Sequence, residues 1–269
     1  MASFRLIHND RVQQLPGGVF SDVTFEDIRI SFTSVQSVHP EALLPSKDRL
    51  RNLDINNSKL REFPYDIIAQ FSNLTDLFLD ATELTALSSF QSSSLEALVV
   101  GDHINYLGNL SLPNLKHLLL GFNPISKFPP GFFSSMENLQ HFRAYYCSLG
   151  PTLTKGSLEF RGSSLYDIDI QGNSISNVEF DAITGFRESA WIDLSENEIS
   201  VLREEPFRPI LEKIREIDLN DNPVVCDCTM AWIVLNPEFL AKVKGSCTDG
   251  TDFQDLDPID FQNCLDRFP

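Results

Sequence analysis

Apolar residues recur along this chain in a fixed figure, clearest over residues 115–133, LKHLLLGFNPISKFPPGFF. Leu115, Leu118 and Leu120 alternate with other residues, Asn123 follows at the ninth place, and Ile125, Phe128 and Phe133 supply later apolar positions. The alternation predicts a short strand with one buried face. Asn123 predicts a turn whose side-chain amide bonds backbone groups leaving the strand. Pro129, Pro130 and Gly131 exclude a long regular helix on the way back. A unit of this size cannot bury its own apolar edge, so it needs copies on both sides.

The copies start at Met1, Phe25, Leu50, Leu74, Leu95, Leu115, Leu139, Leu165, Ser189 and Ile214, 20 to 26 residues apart. Their ninth places hold Asn9, Thr33, Ser58, Thr82, His103, Asn123, Cys147, Asn173, Asn197 and Asn222. Small hydrogen-bonding side chains dominate that series, which predicts a ladder tying successive turns together. Period and pattern are those of a leucine-rich repeat. The expected fold is an α/β-type solenoid with a curved parallel sheet on its concave face. Irregular or short helical returns lie on the convex face, and the return after residue 147, rich in Gly, Pro and Thr, is expected to be irregular. Repeats occupy 1–222 and a C-terminal cap occupies 223–269.

Cysteine placement adds the cap's chemistry. Cys226, Cys228, Cys247 and Cys264 all follow the last repeat, whereas Cys147 stands in a ladder position. The C-x-C pair lacks the rest of a zinc signature. Four cysteines at the end of a repeat array point to two disulfides, and hence to an oxidising, extracellular setting. For Cys147 the readings are a buried weak donor or a reactive thiol. Met1 falls at the start of a repeat with no secretory leader or N-terminal cap ahead of it, so the chain is expected to lack its natural N-terminus. Sequons at Asn56, Asn73 and Asn109 are candidate glycosylation sites, with Asn56 on the concave side.

The formal charge of −17 opposes nucleic acid or an anionic membrane as partner. No apolar run is long enough to span a bilayer. No H-E-x-x-H, G-x-S-x-G, P-loop or G-x-G-x-x-G occurs, so neither a catalytic group nor a cofactor is expected.

The repeats joined to NPVVCDC and a following Trp and two Cys resemble extracellular leucine-rich repeat proteins with a cysteine-rich C-terminal flank. The resemblance implies Cys226–Cys247 and Cys228–Cys264 pairing. The strand style (FEDIRI, LYDIDI, IREIDL) and acidic balance also resemble arthropod proteins related to the non-catalytic subunit of decapod shrimp luciferase. That likeness implies a non-catalytic stabilising subunit of a secreted enzyme, as an alternative to a general secreted binding protein.

The repeat register supplies the candidate contact surface. Between the buried positions, Phe78, Val99 and Leu119 put apolar side chains where solvent-facing residues belong, followed by Arg143, Asp169 and Asp193. Phe122, Tyr145, Tyr146, Tyr166 and Trp191 fall on neighbouring outward places. Such a cluster reads as a protein-binding surface or as cross-strand packing. His117, His141 and Asp167 share one column, which reads as a weak metal or proton-sensitive site or as solvated residues aligned by the repeat.

Overall fold

The computed structural model describes residues 2–267, so the Met1 start of the first repeat lies outside the described residues. Strands β1 (Ser3–Asn9), β2 (Asp27–Thr33), β3 (Asn52–Ser58), β4 (Asp76–Leu79), β5 (Ala97–Val100), β6 (His117–Leu119) and β7 (His141–Arg143) appear once per repeat. They are followed by β8 (Asp167–Asp169), β9 (Trp191–Asp193), β10 (Glu216–Asp218) and β11 (Val243–Lys244). The chain forms two compact units, Met1–Phe142 and Arg143–Pro269.

In the first unit β1 to β6 pair in sequence order, all parallel, without a register slip. The alternation explains why. Ile28, Leu53, Leu77, Leu98 and Leu118 share one inward row and Ile30, Ile55, Leu79, Val100 and Leu120 the next, all excluded from solvent. Moving any strand by one residue would turn its apolar set outward. Each such side chain contributes roughly 1.5–3 kcal/mol of burial. Phe4 and Leu6 hold the same rows in β1 but are only half-buried.

In the second unit β8, β9 and β10 repeat the arrangement with Ile168, Ile192 and Ile217 as one row and Ile170, Leu194 and Leu219 as the other. The cap adds β11 to β10, with Val243 beside Ile217. Disulfides Cys226–Cys247 and Cys228–Cys264 tie the cap's segments together. Trp232 donates its indole N–H to the Leu202 carbonyl at 2.9 Å, anchoring the cap to the preceding return.

Two local expectations need correction. The return after residue 147 is not irregular: Thr152–Leu153 pairs with Asn177–Val178 and Leu158–Glu159 with Ile183–Thr184, as parallel two-residue ladders. Gly150, Pro151, Thr154 and Gly156 fall outside the paired residues, while Thr152 lies within the first ladder. In the ninth repeat Ser189 is exposed, with φ +63°, and Ala190 is the buried residue. The core place opposite Leu165 is therefore filled one residue later, by the smallest side chain able to fill it.

Candidate binding surface

Each strand ends in the same tight bend. The residue just before the ladder position is left-handed in all ten repeats: His8, Phe32, Asn57, Ala81, Asp102, Phe122, Tyr146, Gly172, Glu196 and Asp221 have φ between +44° and +95°. Nine are not glycine, and such a conformation costs an L-residue roughly 1–2 kcal/mol. The bend keeps the backbone hydrogen-bonded. Tyr146, Gly172 and Glu196 each donate their amide to the next repeat, to the carbonyls of Gln171, Ser195 and Asn220 at 2.8–3.0 Å. It also turns the side chain to the rim of the sheet, so Phe32 and Phe122 stand more than half exposed.

On the outward face of the first unit the register aligns Arg5, Arg29, Asp54, Phe78, Val99 and Leu119. Phe78, Val99 and Leu119 are half-buried. Beside Val99 and Leu119 the next outward place holds Gly101 and Gly121, where a Cβ on Gly101 would stand 3.4 Å from the Gly121 carbonyl oxygen. The result is an apolar trough with exposed Phe122 at its rim. Arg29 Nε lies 3.0 Å from Asp54, whose carboxyl burial nonetheless pushes above the usual carboxylate range. His117 and His141 stack, ring centroids 4.6 Å apart. Burial, then the neighbouring His141 and Lys116, hold His117 below its ordinary pKa. Stacked faces do not aim ring nitrogens at a common point, and among the described residues no three His, Cys, Asp or Glu side chains are grouped to hold a metal.

On the outward face of the second unit the register sets Asp167 beside Trp191 and Glu216, and Asp169 beside Asp193 and Asp218. Asp167 is buried and accepts from Arg143 at 3.0 Å. That hydrogen bond raises the arginine's pKa further. Asp169 and Asp193 accept from the Gln171 and Ser195 amides at the ends of their own strands. Burial pushes Asp169 up to about 6, and Asp193 alongside adds to it. Burial raises Asp193 in the same direction.

Tyr145 and Tyr146 meet edge to face at 6.2 Å. The Tyr146 ring lies where a Cβ of Gly172 would be, and its hydroxyl donates to Glu196 at 2.6 Å. Gln171 donates to the other oxygen of that carboxylate at 2.7 Å. Tyr166 sits one place ahead of the strand, with Arg187 over its ring at 5.6 Å. Tyr145, Tyr146, Trp191, Asp169 and Asp193 thus belong to one face, while Tyr166 stands at its entrance. The Tyr146–Glu196 tie was missed by sequence reasoning. Its one signal is Gly172, the sole glycine in a column of side chains.

Asn73 and Asn109 are exposed and Asn56 is half-buried on β3. Asn73 donates to the Asp48 carbonyl at 2.8 Å. Cys147 lies outside both disulfides, its Sγ 3.7 Å from the Tyr145 carbonyl oxygen. Among the described residues no helix is long and apolar enough to cross a membrane.

Comparison with known proteins agrees with this architecture. The Leucine Rich Repeat family profile matches residues 114–136. The non-catalytic subunit of Oplophorus-luciferin 2-monooxygenase from Oplophorus gracilirostris is 28% identical over 264 residues, covering 94% of this chain and 72% of that protein. Among solved structures, a chain of the octameric complex of Latrophilin 3, Unc5D and FLRT2 superposes with a TM-score of 0.74 at 17% identity, covering 98% of this chain and 83% of that one. A chain of the TLR13–ssRNA13 complex gives 0.74 at 17% identity, covering 98% of this chain and 40% of that one. The chain is a leucine-rich repeat solenoid with a disulfide-bonded C-terminal cap, similar to extracellular proteins of that kind.

Proposed function

We propose that the chain is a secreted, non-enzymatic leucine-rich repeat protein that binds another protein through the outward faces of its strands. The observation that carries this is the second unit's face, where Tyr145, Tyr146 and Trp191 stand beside Asp169 and Asp193 and outside the core. Tyrosine and tryptophan supply large contact areas at low entropic cost, so they serve as interface anchors. Phe78, Val99, Leu119 and Phe122 offer the first unit's apolar patch to the same kind of partner. Arg143 holds Asp167 in place and borders the second patch, and Tyr166 borders it at the strand entrance. The acidic balance disfavours a nucleic-acid partner. Glycans belong at exposed Asn73 and Asn109, and one at Asn56 would cover the start of the first unit's face.

A second reading makes the partner the catalytic chain of a secreted enzyme, which this protein stabilises. It is favoured by the likeness to a luciferase's non-catalytic subunit along nearly the whole chain.

Affinity capture from extracellular fluid of the source tissue tests both readings. Wild type is expected to retain one stoichiometric protein that Tyr145→Ala/Trp191→Ala loses while melting near the wild-type temperature. Equal capture by the folded double variant would refute the second unit's face as the site. A captured chain with catalytic activity that decays faster alone selects the second reading.

A further inference from the structure

Resting on the protein-binding reading above, we infer that the first unit's outward row receives one α-helix of the partner protein. An apolar stripe of that helix lies on Phe78, Val99 and Leu119, and an acidic side chain beyond the stripe meets Arg5. The first support is spacing. Register sets Arg5, Arg29, Asp54, Phe78, Val99 and Leu119 side by side on six consecutive parallel strands. Neighbouring strands stand about 4.8 Å apart, so the half-buried stretch from Phe78 to Leu119 spans about 9.6 Å. A helix returns to the same face after seven residues, a rise of about 10.5 Å, with one further side chain of that face in between. Its stripe at i, i+3 or i+4, and i+7 thus meets the three apolar residues in turn. An extended segment repeats its face about every 6.7 Å, so three of its side chains cover about 13.4 Å and overrun them.

The second support is charge. Arg5 and Arg29 are direct register partners, and like charges so placed are unfavourable. Arg29 is matched by Asp54, 3.0 Å from its Nε. Arg5 is exposed and, among the described residues, belongs to no ion pair. It stands three strands from Phe78, about 14 Å, which is between two and three helical turns. Asp76 and Asp80 alternate with the inward Leu77 and Leu79, so they flank Phe78 on its own side of the sheet. An acidic side chain on the helix is therefore favoured at the Arg5 end of the row and opposed over the apolar residues. That asymmetry fixes the order of the pattern the partner must carry.

The test titrates amidated helical peptides of alanine and glutamine against the whole protein and its Asn56→Gln variant, which frees the row of any glycan. Each peptide carries leucines at i, i+3 and i+7 and a glutamate about three turns before or after them. Binding is expected in at least one of the two orders. The lysine-for-glutamate version is expected to bind about tenfold more weakly, and one with proline inside the stripe not at all. Arg5→Glu is expected to keep the melting temperature and reverse the preference, so that the lysine peptide binds better. Phe78→Ala is expected to weaken both peptides. Lys47→Glu, in a return segment, makes the same charge change and is expected to alter neither. An unchanged preference in Arg5→Glu, or an equal shift in Lys47→Glu, would overturn the inference. So would equal binding of the proline peptide, or no binding of any peptide to either protein. In the capture experiment, a partner lost by Tyr145→Ala/Trp191→Ala yet kept by Arg5→Glu and Phe78→Ala refutes the helix and leaves the second unit's face intact. Retention by all of these variants refutes that face as well.

Discussion

The two units tie successive repeats together with side chains in different places. In the second unit the work falls after the strand. Asn197 accepts from the Asn173 and Ile175 amides of the preceding repeat, both at 2.9 Å, and donates to the carbonyls of Ile170, Leu194 and Ser195. Asn173 and Asn222 act alike. In the first unit those places hold Thr33, Ser58 and Thr82. Among the described residues the threonine hydroxyls bond only within their own turn, and the buried Ser58 hydroxyl has no hydrogen-bond partner. There the ties come before the strand instead. Asn73, Asn114 and Asn138 each reach back to a carbonyl of the preceding repeat at 2.7–2.8 Å, and Asn123 supplies the first unit's one cross-repeat asparagine of the other kind. Neighbouring repeats can thus be tied by a side chain at either edge of the strand, each edge bonding its own backbone groups. The edges differ in burial: Asn173, Asn197 and Asn222 are buried, while Asn73, Asn114 and Asn138 are exposed.

The largest separation between the units is expected from the cap. Two disulfides tie the second unit's last segments together, whereas residues 1–142 contain no cysteine. Cys228→Ser/Cys264→Ser is expected to cost about 2–5 kcal/mol. Hydrogen exchange should show that loss in β10 and β11 while amides of β2 to β4 keep their protection.

Next in size comes the ladder. Asn197→Ala strands buried amides and carbonyls of two repeats, each costing about 1–3 kcal/mol, so a total near 3 kcal/mol is expected. Thr82→Ala removes local bonds only and is expected to cost about 1 kcal/mol. Urea unfolding of the two variants checks the difference, and equal losses would break the comparison.

The smallest effect is one of pH, and Asp169 and His117 carry opposite signs. Asp169 titrates at about 6 in the folded chain, above its unfolded value, so the native state binds that proton more tightly. Its contribution to stability is greatest in acid and is lost as pH rises through 6. His117 lies below its ordinary value, so the native state resists its proton and stability falls as pH drops through the histidine range. Between about pH 7.5 and pH 5, Asp169→Asn should therefore remove an acid-side gain and His117→Gln an acid-side loss. Denaturation midpoints at the two pH values measure both.

Much of this was legible in the chain because the repeat multiplies a weak signal. Leu118, Leu98 and Leu77 are buried because alternation must turn them inward, and the ninth-place asparagines bond across repeats because no other small side chain both donates and accepts so broadly. The left-handed column was not legible. It is set by the bend after each strand and tolerated by Phe, Tyr, Glu and Asp alike, so residue type carries almost no trace of it. Tyr146 reaching Glu196 depends on Gly172 two places from any apolar position, a contact that periodicity does not encode. Ser189 misled because spacing marks the place and only packing reveals that Ala190 fills it.

The central claim is that the second unit's strand face receives the partner. Hydrogen exchange of the whole chain, with and without the captured partner, tests it directly. The account predicts added protection in β8, β9 and the bends at 171–173 and 195–197. Protection confined to the return segments or the cap, with those bends unchanged, would contradict it.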